Sequence, residues 1–134
     1  MQNTVRVPEL CWEGVCDLEM TFPSQWQVEV VNMAGYRAPA LSPDEITRLI
    51  CSPLGIPRLS TLARGKKQVA IIFDDMTRAT RTWQIVPVVL DELARAGIKD
   101  SDIRFIGATG SHGAMDRFDY VKKLGEDVLH RFSP

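Results

Sequence analysis

Two short segments hold most of the residues in this chain whose types and spacing could do chemistry. In VAIIFDDMTRATR, residues 69–81, an apolar run ends in Asp74, Asp75, Thr77 and Arg78, and in IRFIGATGSHG, residues 103–113, a second apolar run leads to Ser111 and His112. Histidine is the side chain whose ordinary pKa suits proton transfer near neutral pH. A guanidinium grips a carboxylate through two parallel hydrogen bonds, and an aspartate can orient such groups. Each residue also has an ordinary structural explanation. An Asp at a strand end commonly binds loop amides or caps the next helix, and an Arg three residues later commonly pairs with it at the surface. A lone loop histidine is common, although Gly110 and Gly113 around His112 would permit tight turns that display it. Asp74 reads as the solvent-facing or capping member of the acidic pair, with the order of the two left open.

The elements that must position these groups follow from periodicity. Val69 to Phe73 and Ile103 to Ile106 are almost continuously apolar, as strands covered on both faces are. Between them, Ile85, Val86, Val89, Leu90, Leu93 and Ala96 recur at helical spacing, with Asp91, Glu92 and Arg95 on the other side. Thr80 or Thr82 is the expected cap, Gly97 the stop, and Pro87 in the first turn would put the helix start near Gln84 or later. A strand–helix–strand unit of this kind makes the strands parallel and sets Asp75, Thr77, Arg78 and His112 at one carboxyl edge, where open α/β sheets bind ligands. A second helix is expected over Asp116–Leu124, with Phe118, Val121 and Leu124 on one face and Gly125 ending it. His130 and Arg131 fit the end of a further helical stretch.

The first third reads as support. Leu18, Met20 and Phe22, then Trp26, Val28 and Val30, alternate with polar residues around Pro23 and Ser24, which predicts two short strands and a turn. Ser42, Pro43 and Glu45 form the sequence of a capped helix start, with Ile46, Leu49 and Ile50 as its apolar positions and Pro53 and Gly55 ending it. Leu59 to Leu62 fit a helical turn. The fold class is therefore α/β: a mainly parallel sheet with flanking helices and a Rossmann-like βαβ core, preceded by short N-terminal strands. The expected organisation is one domain over residues 1–134.

Composition excludes more than it assigns. The chain has 134 residues, 45% of them hydrophobic, enough for one core. Sixteen basic and 17 acidic side chains give a formal charge of −1, with no basic run or regular aromatic interleaving, so nucleic acid is not an expected partner. No apolar stretch reaches transmembrane length, and Arg6, Glu9 and Glu13 interrupt any signal-peptide core; no membrane partner and a cytoplasmic location are expected. Three cysteines, Cys11, Cys16 and Cys51, are an odd number that argues against a disulfide framework. The Cys11 and Cys16 pair has no second pair or nearby histidine to complete a tetrahedral set, so no metal site is expected in this chain.

Taken together, DDMTR after an apolar strand and ATGSH one strand–helix–strand unit later resemble the N-terminal domain of the nickel-dependent lactate racemase family, whose members carry D-x-T-R and A-T-G-x-H in that order. Supporting similarity runs from WQVEV at Trp26 through Pro53, Leu54 and Gly55 to LGED at Leu124–Asp127. The resemblance implies an isomerase that racemises or epimerises a small 2-hydroxy acid by hydride transfer to a nickel-pincer nucleotide cofactor. It implies His112 as one of two proton-moving histidines, Arg78 as the arginine that engages the substrate carboxylate, Thr77 beside it in the substrate site, and Asp75 as an active-site acid that orients the arginine, the cofactor or neighbouring polar groups. Family members are several-fold longer, and their second histidine, cofactor lysine and nickel-binding histidine lie downstream of the matched region. The resemblance thus implies a domain incomplete for catalysis on its own, either a truncated or proteolysed piece whose partner is a missing C-terminal domain or a short protein with a retained half-site; no cofactor is expected on this chain alone.

A second reading needs no hydride chemistry. ThrArg and ThrGlySer loops at strand ends offer donors to an anion, which suits a non-catalytic α/β module that binds a small carboxylate or phosphate. A nucleotide-binding domain fits less well, because no G-x-G-x-x-G follows the first strand.

Overall fold

The computed structural model describes residues 3–8, 12, 17–36 and 38–132. The chain divides into two compact units, Met1–Ala40 and Leu41–Pro134. In the first, β1 (Asn3–Pro8) and β2 (Asp17–Phe22) pair antiparallel, from Asn3 opposite Phe22 to Pro8 opposite Asp17. Thr4 meets Thr21 and Arg6 meets Glu19 across the ladder, the side-chain pairs that steady a two-stranded ribbon. Pro23 then turns the chain: the Trp26 N–H donates to the Pro23 carbonyl, Asn3 Nδ2 donates to the Trp26 carbonyl at 2.6 Å, and the Trp26 ring stacks on Phe22. The expected second strand through Val28 and Val30 does not form. Both side chains are exposed, so their alternation has no face to bury, and β1 takes the place of pairing partner for β2. Cys11 and Cys16 lie outside the described residues.

The second unit runs α1 (Pro43–Cys51), α2 (Leu59–Leu62), β3 (Val69–Asp74), α3 (Thr82–Arg95), a 3-10 turn at Asp100–Asp102, β4 (Ile103–Ala108), α4 (Arg117–Leu124) and α5 (Glu126–Phe132). The start of α1 is a capping box: Ser42 Oγ accepts the Glu45 N–H while the Glu45 carboxylate accepts the Ser42 N–H. Strands β3 and β4 are parallel, with Val69 opposite Ile103 and Asp74 opposite Ala108. The fold is thus a small α/β domain with one parallel and one antiparallel two-stranded pair and flanking helices. Two parallel strands make a strand–helix–strand unit, which is less than a complete Rossmann sheet.

The expectation that both sheet faces are covered is corrected. Strand alternation sends Val69, Ile71 and Phe73 and, from β4, Ile103, Phe105 and Gly107 to one side. There they meet Val86, Leu90 and Leu93 of α3, Leu124 of α4 and Val128 of α5. The other face, with Ile72 at 68% and Ile106 at 48% exposure, is open. Helices α3 and α4 therefore share one side of the sheet, and the Phe73 ring contacts Phe105 and Tyr120 edge-on.

Three helix details also differ from expectation. Helix α3 starts at Thr82 behind Arg81, with no side-chain cap, so Pro87 sits inside it. Proline costs a helix its bond to the carbonyl four residues back, which here belongs to Trp83 in the first turn. Glu92 is buried at 1% exposure rather than solvent-facing, because Arg58 reaches it from the segment before α2. In α4, Phe118 is exposed while Lys123 and Leu124 are buried; the Asp116 cap, in a capping box with Asp119, sets a phase that turns Tyr120 and Leu124 inward. Gly125, with φ at +87°, ends that helix as expected.

Candidate functional site

Asp75 is the first residue after β3, and its carboxylate organises the loop that follows. Oδ1 accepts both the Thr77 N–H at 3.0 Å and the Thr77 hydroxyl at 2.6 Å, and the Arg78 N–H donates to the Asp75 carbonyl. This is the local side-chain turn that aspartate favours. After β4, the His112 N–H closes a tight turn on the Thr109 carbonyl, with Gly110 at φ +58°. Gly110 supplies the left-handed conformation; Gly113 does not adopt one. Gly107 lies beneath this loop, where a β-carbon would collide with the Met115 side chain, so the loop packs down on the strand.

The two turns bring their side chains into contact. His112 Nδ1 lies 2.5 Å from Asp75 Oδ2, and Arg78 Nη1 donates to the Thr77 hydroxyl at 3.3 Å. Arg78, Thr77, Asp75 and His112 thus form one hydrogen-bonded series at the carboxyl edge of the parallel pair. Asp75 does not pair with Arg78 as a surface ion pair; Thr77 stands between them. The Asp75 side chain is 7% exposed and that of His112 49%, so the acid is held inside and the imidazole faces outward.

Hydrogen bonds from Thr77 and His112, outweighing the opposing effect of burial, hold the Asp75 carboxyl down at about 2. An ionised carboxylate only accepts. The proton between the pair therefore belongs on His112 Nδ1, and Nε2 is the ring nitrogen left over.

Asp74, the other member of the acidic pair, turns away from this series. Its Oδ2 accepts the Thr80 hydroxyl and its Oδ1 accepts Lys123 Nζ at 2.8 Å. The same ammonium donates to the Arg78 carbonyl at 2.6 Å. Thr80, expected as a helix cap, is thus spent on Asp74. Lys123 escaped the sequence reading because lysine on a helix is ordinarily solvated. The available signal was Tyr120 and Leu124, four apart on the inward face, with Lys123 beside them. His130, by contrast, makes an i,i+4 contact with Glu126 on the exposed surface of α5.

A cavity of about 820 Å³ lies away from this edge, along β4 and helices α4 and α5. Its walls include Phe105, Tyr120, Leu124 and Phe132, and none of the four site residues lines it. Among the described residues, no group of three or more His, Cys, Asp or Glu side chains could hold a metal ion.

An aspartate-bound imidazole and an exposed guanidinium thus stand together at the ends of the two parallel strands. Residues 14–133 match the lactate racemase N-terminal domain family, and the chain belongs to that family. It is 33% identical over 101 residues to the lactate racemase of Lactiplantibacillus plantarum, covering 75% of this chain and 24% of that protein. It is 32% identical over 94 residues to the lactate racemase of Thermoanaerobacterium thermosaccharolyticum, covering 70% and 22%. The structure of the lactate racemase apoprotein from the latter organism superposes with a TM-score of 0.61 at 25% identity, over 94% of this chain and 28% of that one. The chain thus spans about a quarter of the length of the relatives it matches. Among the described residues, no helix is long and apolar enough to cross a membrane.

Proposed function

We propose that this domain supplies one half of the active site of a lactate racemase-like isomerase acting on a small 2-hydroxy acid. The observation that carries the reading is the short contact between His112 Nδ1 and the ionised Asp75. As hydride leaves C2 of a hydroxy acid, the carbon becomes carbonyl-like and the hydroxyl proton must depart. His112 Nε2 takes that proton, and Asp75 stabilises the imidazolium that results. Returning the proton reverses the step. Arg78 holds the substrate carboxylate through paired hydrogen bonds and so fixes which face of C2 is presented. Thr77, donating to Asp75 and accepting from Arg78, keeps the two groups in register.

The hydride acceptor and the second proton-moving histidine belong, on this reading, to the part of a longer protein beyond the matched region, and the strand–helix–strand unit of β3, α3 and β4 is the start of a Rossmann-like sheet there. The nickel-pincer cofactor is bound there as well, in a protein that works in the cytoplasm.

The test is interconversion of 2-hydroxy-acid enantiomers by the intact, cofactor-loaded protein. His112→Ala is expected to lower turnover about a hundredfold or more while the fold is retained, because a positioned base contributes on that order. Arg78→Lys is expected to raise KM as well as lower turnover, since an ammonium cannot reproduce two parallel hydrogen bonds. Wild-type turnover in His112→Ala would remove the histidine from the chemistry and favour the anion-binding module.

A further inference from the structure

Lys123 is the one described lysine that is completely buried, with its side chain at 0% exposure. An ammonium taken out of water is costly unless every contact compensates it, so its partners indicate what it is kept for. Nζ donates 2.8 Å to Asp74 Oδ1, at the last position of β3, and 2.6 Å to the Arg78 carbonyl, four residues further on. Asp74 in turn accepts the Thr80 hydroxyl. One charge from α4 therefore ties down the entry, the middle and, through Asp74, the exit of the loop that bears Asp75, Thr77 and Arg78. Burial raises the Asp74 carboxyl, but the hydrogen bonds from Lys123 and Thr80 outweigh it and leave the group below its ordinary value. The Asp74 carboxylate is thus ionised at neutral pH.

We propose that Lys123 is a positioning residue for the racemase site: by gripping the Arg78 carbonyl it fixes where the guanidinium stands relative to the His112 and Asp75 pair. This rests on the racemase reading above. A lysine serving only to neutralise Asp74 would be dispensable once Asp74 carried no charge. A lysine that positions Arg78 would not.

That difference supplies the experiment. Lys123→Met keeps the length of the aliphatic stem and removes the ammonium, and Lys123→Met with Asp74→Asn also removes the carboxylate charge that the first variant leaves without its ammonium. Two readouts are taken on the intact protein: KM and kcat for the hydroxy acid, and hydrogen exchange of the amides of residues 75–80 against those of β3. The double variant is expected to fold, to keep β3 protected, to exchange its loop amides about tenfold faster or more, and to raise KM about tenfold with a smaller change in kcat. Wild-type KM and wild-type loop exchange in the folded double variant overturn the proposal. If the wild-type protein racemises nothing, the racemase reading fails separately, and loop exchange alone decides whether Lys123 holds the Arg78 backbone. Should the double variant not fold, Lys123→Gln, which retains a neutral donor, takes its place: faster loop exchange with a raised KM supports the proposal, and wild-type values of both overturn it.

Discussion

Asp75 divides one carboxylate between two tasks. Oδ1 shapes its own loop through Thr77, and Oδ2 meets the imidazole of a histidine 37 residues away. The isosteric Asp75→Asn tests the second task. Its amide can donate to Nδ1, which moves the imidazole proton to Nε2 and leaves no lone pair facing the substrate. Turnover is expected to fall on the order of a hundredfold to ten-thousandfold, with KM for the hydroxy acid little changed, since wrong-tautomer variants of histidine bases behave this way. Steady-state kinetics on the intact protein measures both. A KM effect larger than the kcat effect would mean that Asp75 serves Arg78 rather than His112.

Helix α3 joins the site to the rest of its unit, since its N-terminus follows the Arg78 loop and its buried face packs on the sheet and on α4. Glu92 on this helix takes two hydrogen bonds from Arg58 and one from the Ser60 N–H. Chiefly through Arg58, and against the effect of burial, its carboxyl falls from 4.5 to about 2. A group whose pKa is depressed by folding contributes stability that is present above its unfolded value and is lost as pH falls through its folded one. The stability difference between wild type and Glu92→Gln should therefore be largest near neutral pH and shrink from pH 4.5 toward 2, as urea unfolding at several pH values would record. Leu93→Ala provides the contrast. Leu93 is 1% exposed, and its truncation is expected to cost about 2–5 kcal/mol through lost burial and a cavity, with no dependence on pH across that window. A Glu92→Gln difference that stays constant with pH would show that Arg58 and Glu92 are held by packing rather than by charge.

At the scale of the molecule, the sheet of the second unit has one clothed and one bare face, and the site sits at its edge. Its described side chains include no cluster of metal ligands. Purified without a tag and titrated with Ni²⁺, this chain is expected not to retain one nickel per chain, because its two histidines, His112 and His130, stand on different elements and each already contacts a carboxylate. Elemental analysis after gel filtration decides this; a tight one-to-one complex would sink the expectation.

Sequence alone determined what is local. The capping box at Ser42, the stop at Gly125 and the strand–helix–strand order follow from neighbours within a few residues, where backbone sterics and short-range hydrogen bonds dominate. So does the candidate site: two strand ends joined by one helix placed Asp75, Thr77, Arg78 and His112 at a common edge. What tertiary structure alone decided is which partner each buried charge finds. Nothing near Asp75 in sequence says that it meets His112 rather than Arg78, and nothing near Lys123 or Glu92 says which partner either finds, because those partners lie 49 and 34 residues away. The bare face of the sheet was equally hidden, since an apolar strand reads the same whether one face is covered or two. The physical reason is shared: hydrophobic pattern reports what a residue can bury, whereas desolvation and pairing of charge depend on which atoms the completed fold brings within about 3 Å.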